Sequence, residues 1–78
     1  MYSEYIGREL KVIRSRNNLT LKDLEEKTGI YAQILSEYEN NKINIKVLTL
    51  EKILKAYDLN LYIFFKNIYE YSHTRENS

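Results

Sequence analysis

The chain has 78 residues, which allows one small domain and argues against an elaborate enzyme, since domains typically run to about 100–150 residues. Hydrophobic residues make up 44% of it, but 8 of them are Tyr, whose hydroxyls need partners when buried, and with no Cys there can be neither a disulfide nor a thiolate zinc site. Twelve Lys and Arg against eleven Asp and Glu leave a formal charge of +1, so any case for a polyanionic partner rests on where the charges sit.

A core this small gains from a second subunit, the one reinforcement the composition leaves open. The lone His73 falls in a polar tail with no metal-ligating companions. No apolar run approaches the ~20 residues needed to cross a bilayer, and the opening MYSEYIGREL alternates charge with aromatics. A soluble cytoplasmic protein with no membrane contact is expected.

The chain reads as all-α. Ser3 is placed to cap a first helix whose Ile6, Leu10 and Ile13 share one face and which stops near Asn17 and Asn18. Thr20 followed by Asp23 three residues on has the form of a capping box. It opens a second helix, with Leu21 and Leu24 apolar, that ends at Gly29 in the left-handed conformation. Ile34, Leu35 and Tyr38 mark a third helix, closed by Asn40, Asn41 and Lys42. Asn44 or Lys46 opens a fourth, with Val47, Leu50, Ile53, Leu54 and Tyr57 as its apolar face and Asp58 to Asn60 as its end. Leu61 to Tyr71 fits a buried helix, although its Tyr, Ile and Phe content also favours strand. Residues 72–78 read as a frayed polar tail, leaving 1–71 as the domain.

Two short helices joined across one Gly, LTLKDLEEKTGIYAQILSEYENN, fastened by Leu24, Ile30 and Leu35, have the layout of a helix-turn-helix. Through IRSRNNLTLKDLEEKTGI, ILSEYENN, INIKVLTLEKILKAYDL and the closing FF, the chain resembles Cro and lambda-repressor-type regulators without gaps. In size and layout it is most similar to controller proteins of restriction–modification systems.

The resemblance implies a compact five-helix domain whose third helix lies in the DNA major groove with its N-terminal residues facing base edges. The groove-facing residues it implies are Tyr31, Ala32, Gln33, Ser36, Glu37 and Asn40. Gln33 can pair with adenine N6 and N7, Ala32 can touch a thymine methyl, and Glu37 can accept from the cytosine amino group or repel phosphate. Lys22, Asn41, Lys42 and Lys46 are the expected phosphate anchors. Arg16 joins them, or serves only to complement the dipole of the first helix. Arg14 is expected to pair with Glu39, joining helices one and three.

Three positions depart from the family pattern. Leu21 replaces a phosphate-binding Gln, Tyr31 replaces a small hydroxyl cap, and Glu25 replaces the Ala at which the two motif helices approach most closely. A carboxylate at 25 must snorkel outward or widen the crossing. If it strains the motif, Glu25→Ala should raise the melting temperature.

Phe64 and Phe65 are adjacent and so point about 100° apart on a helix, more than one small subunit covers readily. With Leu61, Ile68, Tyr69 and Tyr71 they point to a two-fold homodimer through the fifth helix, unless both Phe pack on the fourth. The reading is then a homodimeric regulator that binds double-stranded DNA at near-palindromic operators. The alternative is an antitoxin or antirepressor-like module whose main partner is a protein. No catalytic residues, cofactor, metal or small-molecule ligand are expected, because no His–carboxylate pair, phosphate-cradling Gly loop or ligand cluster occurs.

Overall fold

The computed structural model describes backbone 3–77 and side chains 4–71, and among these residues five helices and their connections account for the chain. They are α1 (Ser3–Arg16), α2 (Leu21–Thr28), α3 (Ala32–Glu39), α4 (Val47–Lys55) and α5 (Leu61–Asn77). The expected Ser3 cap and the surroundings of His73 lie outside the described side chains.

The helix ends follow from a few polar residues. Asn18, Asn41 and Asp58 adopt φ of 55°, 58° and 58°, a region these short polar side chains tolerate. Each lets the next residue's N–H fold back onto the helix just ended: Leu19 to the Arg14 carbonyl, Lys42 to that of Glu37 and Leu59 to that of Leu54, at 3.2, 2.9 and 3.0 Å. These are Schellman closures built without glycine. Gly29, at φ 79°, supplies the left-handed residue that ends α2.

Asn60 decides the strand-or-helix question at the C-terminus. Its Oδ1 accepts the Ile63 N–H at 2.8 Å and its carbonyl accepts the Phe64 N–H at 3.1 Å, so the aromatic run enters α5 through a capped helical turn. The helix continues past Tyr71 to Asn77, so the polar segment 72–77 extends α5.

Leu10 and Ile13 from α1, Leu24 from α2, Leu35 from α3, Leu50, Ile53 and Leu54 from α4, and Phe64 and Ile68 from α5 form one core. Burying a side chain of this size stabilises by about 1.5–3 kcal/mol. Val47, expected on the apolar face of α4, is instead exposed beside Leu48, because only from Leu50 onward does that face meet the core. Phe64 is fully enclosed, whereas Phe65 keeps 40% of its surface. The two rings meet edge to face at 5.3 Å. Phe64 and Ile68 are therefore core residues rather than interface residues: the face of α5 that carries them is covered within the subunit by α1 and α4.

Candidate nucleic-acid interface

Helix α2 begins in a capping box. Thr20 Oγ1 accepts the Asp23 N–H at 3.0 Å, and the Asp23 carboxylate accepts the Thr20 N–H at 2.9 Å. Those bonds hold the Asp23 carboxyl below the usual carboxylate range. Buried Leu24 turns α2 toward the core, and Leu21, in place of a phosphate-binding Gln, packs half-buried against it.

The turn into α3 is held from both sides. The Gly29 N–H donates to the Glu25 carbonyl at 2.7 Å, which closes α2. Buried Thr28 donates its hydroxyl to the Leu24 carbonyl at 2.8 Å and accepts the Ile30 N–H at 3.2 Å. Tyr31 stands at the N-cap of α3, 74% exposed and making no side-chain capping bond. The missing acceptor comes from α2, where Glu25 Oε1 accepts the Ala32 N–H at 2.8 Å. Its Oε2 lies 3.3 Å from Lys22 Nζ. The hydrogen bond from Ala32, and secondarily that from Lys22, lowers the Glu25 pKa.

Of the two alternatives for Glu25, an outward reach or a widened crossing, the side chain takes the first: its carboxylate caps α3, so its loss should weaken the motif rather than raise the melting temperature. Two sequence signals together point to this role, a residue unable to cap at 31 and an acidic residue one turn before the end of the preceding helix.

Leu35 buries the inner side of α3, with Ile34 and Tyr38 half-buried beside it. Toward solvent lie exposed Gln33 and Asn40, half-buried Ala32, Ser36 and Glu37, and Tyr31 at the tip. Asn40 Nδ2 folds back onto Ser36, 2.9 Å from its carbonyl and 3.3 Å from its hydroxyl. A base contact by that amino group must exchange with these bonds.

The base of α3 is fixed to α1. Arg14 Nε and Nη2 donate to the two Glu39 carboxylate oxygens at 2.8 and 3.0 Å, and Nη1 donates to the Leu19 carbonyl at 2.8 Å. Glu39 is buried, and its hydrogen bond raises the Arg14 pKa further. The nearby Tyr57 hydroxyl is buried without a hydrogen-bond partner, and burial pushes its pKa up.

Of the expected phosphate anchors, Lys22, Lys42 and Lys46 are exposed. Lys22 is tied to Glu25, and Lys46 is the N-cap residue of α4 with no side-chain capping bond. Asn41 has a different employment: its Oδ1 accepts the Gly7 N–H at 3.2 Å and its Nδ2 donates to the Glu4 carbonyl at 2.9 Å, clamping the first turns of α1. Its amide is engaged within the molecule, which revises its place among the anchors. Arg16 lines a cleft of about 160 Å³ between α1 and α5 with Tyr5, Arg8, Glu9, Val12, Ile68 and Tyr71. There it moderates a Glu9 pKa that burial raises, so it stands with the α1–α5 cleft rather than with α3.

On α5, Leu61 is half-buried while Phe65 and Tyr69 are exposed, as is Tyr62, which the sequence reading left out. Positions 62, 65 and 69 share one helical face. Among the described residues no His, Cys, Asp or Glu group is arranged to hold a metal ion, and no helix is long and apolar enough to cross a membrane.

Residues 7–70 match the helix-turn-helix domain family. The chain is 32% identical over 56 residues to antitoxin HipB of Escherichia coli O6:H1, covering 72% of this chain and 60% of that protein. It is 34% identical over 59 residues to the HTH-type transcriptional regulator PuuR of Escherichia coli strain K12, covering 76% of this chain and 32% of that protein. It therefore spans less than two thirds of either relative. Taken with the capped two-helix motif and the solvent-facing side of α3, this places the chain in the helix-turn-helix domain family.

Proposed function

We propose that the protein is a sequence-specific regulator that binds double-stranded DNA as a homodimer at near-palindromic operators, with a restriction–modification controller as its biological setting. The observation that carries the reading is the outer side of α3. Tyr31, Ala32, Gln33, Ser36, Glu37 and Asn40 offer hydrogen-bonding and apolar groups to solvent from a helix of eight residues anchored at both ends. That helix contains no Lys or Arg, so its outer groups suit base edges, while Lys22, Lys42 and Lys46 supply the cations for phosphate.

The dimer reading rests on Tyr62, Phe65 and Tyr69, an exposed aromatic stripe on α5 that a two-fold partner would cover. Two α3 helices spaced by about 34–36 Å then meet successive major grooves. Selection from a random duplex pool tests binding, symmetry and spacing together. A palindromic consensus is expected, and recovery of unenriched sequence would refute the reading.

The similarity to antitoxin HipB favours a second reading, in which a protein partner is the main target and DNA binding accompanies it. Isolation as a stable complex with a toxin subunit that occludes α3 would favour this reading. Retention of a palindromic operator in excess nonspecific DNA by the chain alone favours the first.

A further inference from the structure

We infer that Glu25 is a positioning residue for base recognition: reaching from α2, its carboxylate closes the N-terminus of α3 and fixes the angle at which the tip of that helix is presented. The inference deepens the proposed reading of α3 as the base-contacting helix and rests on it.

One residue holds both ends of the turn. The Glu25 carbonyl accepts the Gly29 N–H that ends α2, and its Oε1 accepts the Ala32 N–H that begins α3. Its Oε2 is steadied by Lys22 from the preceding turn of α2. An ordinary N-cap side chain satisfies its own helix and carries no information about a neighbouring one. Here the acceptor belongs to the other helix, so satisfying the first turn of α3 requires one particular placement of α3 against α2. Moving the acceptor to position 25 also leaves position 31 open to a large side chain, and Tyr31 stands exposed at that tip. Tyr31 and Glu25, two separate departures when read along the sequence, form one exchange in space. The residues displaced by a change in helix angle are Tyr31, Ala32 and Gln33, so such a change should erode discrimination between sequences more than general attraction to DNA.

The test measures Kd for the selected operator and for a scrambled duplex at one salt concentration, with the folded fraction checked by circular dichroism at the assay temperature. The wild type should prefer the operator; no preference would remove the reading of α3 itself, separately from the role of Glu25. Glu25→Ala, where folded, should lower the operator-to-scrambled ratio at least about fivefold, the lower end of what one paired base contact discriminates. Glu25→Gln, which keeps an acceptor oxygen at the same reach, should retain the ratio. A folded Glu25→Ala with the wild-type ratio would overturn the inference. If Glu25→Ala does not fold, Glu25→Asp and Glu25→Gln decide. Discrimination kept by Gln and lost by Asp, which is one methylene too short, supports the positioning role. Any other pattern between those two variants overturns it.

Discussion

Gly7→Ala sets two effects of opposite sign against each other, and the structure decides between them. Position 7 lies within α1, where Ala in place of Gly is worth about 1 kcal/mol through helix propensity alone. A Cβ at that position would stand 2.5 Å from the Tyr38 carbonyl oxygen, 2.6 Å from Asn41 Oδ1 and 2.7 Å from the Glu39 carbonyl oxygen. Two of those three atoms are backbone at the end of α3, so they cannot swing aside, and α1 must withdraw by about half an ångström to bring even the nearest to 3.0 Å. Overpacking of this kind costs about 1–3 kcal/mol. Withdrawal also stretches the two Asn41 bonds to Gly7 and Glu4, each worth about 0.5–1.5 kcal/mol net. The penalties exceed the propensity gain, leaving a net destabilisation of about 1–3 kcal/mol. For a domain of this size each kcal/mol lowers the melting temperature by about 4–8 °C. Urea unfolding followed by circular dichroism should show a lower midpoint with an unchanged slope. A midpoint equal to or above wild type would mean that α1 does not approach the end of α3 this closely.

Four further outcomes are expected. Arg14→Met strands the buried Glu39 carboxylate and should destabilise by about 3 kcal/mol, the low end of the range for breaking a buried pair because Arg14 keeps some contact with water; denaturant unfolding showing a loss under about 1 kcal/mol would refute a buried pair. Asp23 and Glu25 have depressed folded-state pKa values, so their stabilisation is complete above the ordinary carboxylate range and disappears as pH falls through the lowered values. Glu9, raised by burial, acts in the opposite sense: its contribution is present at low pH and is lost as pH rises through its raised value. Melting curves collected from neutral to acidic pH should therefore be flatter for Glu25→Gln than for wild type, and coincident profiles would contradict the assignment. Phe65→Glu places a charge in the exposed α5 stripe and should yield a folded monomer in sedimentation, with operator binding weakened; an unchanged sedimentation coefficient would move the subunit contact elsewhere. On DNA, Gln33→Ala should relax preference at one base position and cost roughly 1–3 kcal/mol, whereas Lys42→Ala should weaken all duplexes alike and flatten the salt dependence; an unaltered consensus for Gln33→Ala would show that another face reads the bases.

Most of the fold is legible because it is written locally. Thr20 and Asp23, Gly29, and the polar breaks at Asn17–Asn18, Asn40–Lys42 and Asp58–Asn60 mark helix ends that need no tertiary information. The fate of Leu61 to Tyr71 was less plain along the chain because β-branched and aromatic residues suit either structure, and the Asn60 cap that settles it lies just outside the ambiguous run. Site residues were harder to read where their role depends on a partner distant in sequence. Asn41 has the composition of a surface anchor, yet its amide is directed at Gly7 and Glu4, more than thirty positions earlier. Phe64 and Phe65 are equivalent as letters, and only the direction in which α5 lies across α1 and α4 makes one core and the other surface.

The charge pattern of the motif bears on how affinity and discrimination divide. α3 carries no cation, so on the proposed reading non-specific attraction falls to Lys22, Lys42 and Lys46. If each lysine in a dimer neutralises one phosphate, the logarithm of affinity should fall with the logarithm of salt with a slope of about −5. Glu37 on the outer side of α3 adds a penalty wherever it meets phosphate instead of a base-edge donor, so a misregistered complex gains the lysine attraction but meets this repulsion. Discrimination in such an arrangement depends less on total charge than on how reproducibly α3 is placed. The molecule has invested in that placement at both ends of the helix: the Glu25 cap fixes its start, and the Arg14–Glu39 pair and the Asn41 clamp secure its end to α1. On the proposed reading a near-neutral chain supports selective binding in this way, because the fixed presentation of α3 stands in for the cations that would otherwise hold it against any duplex.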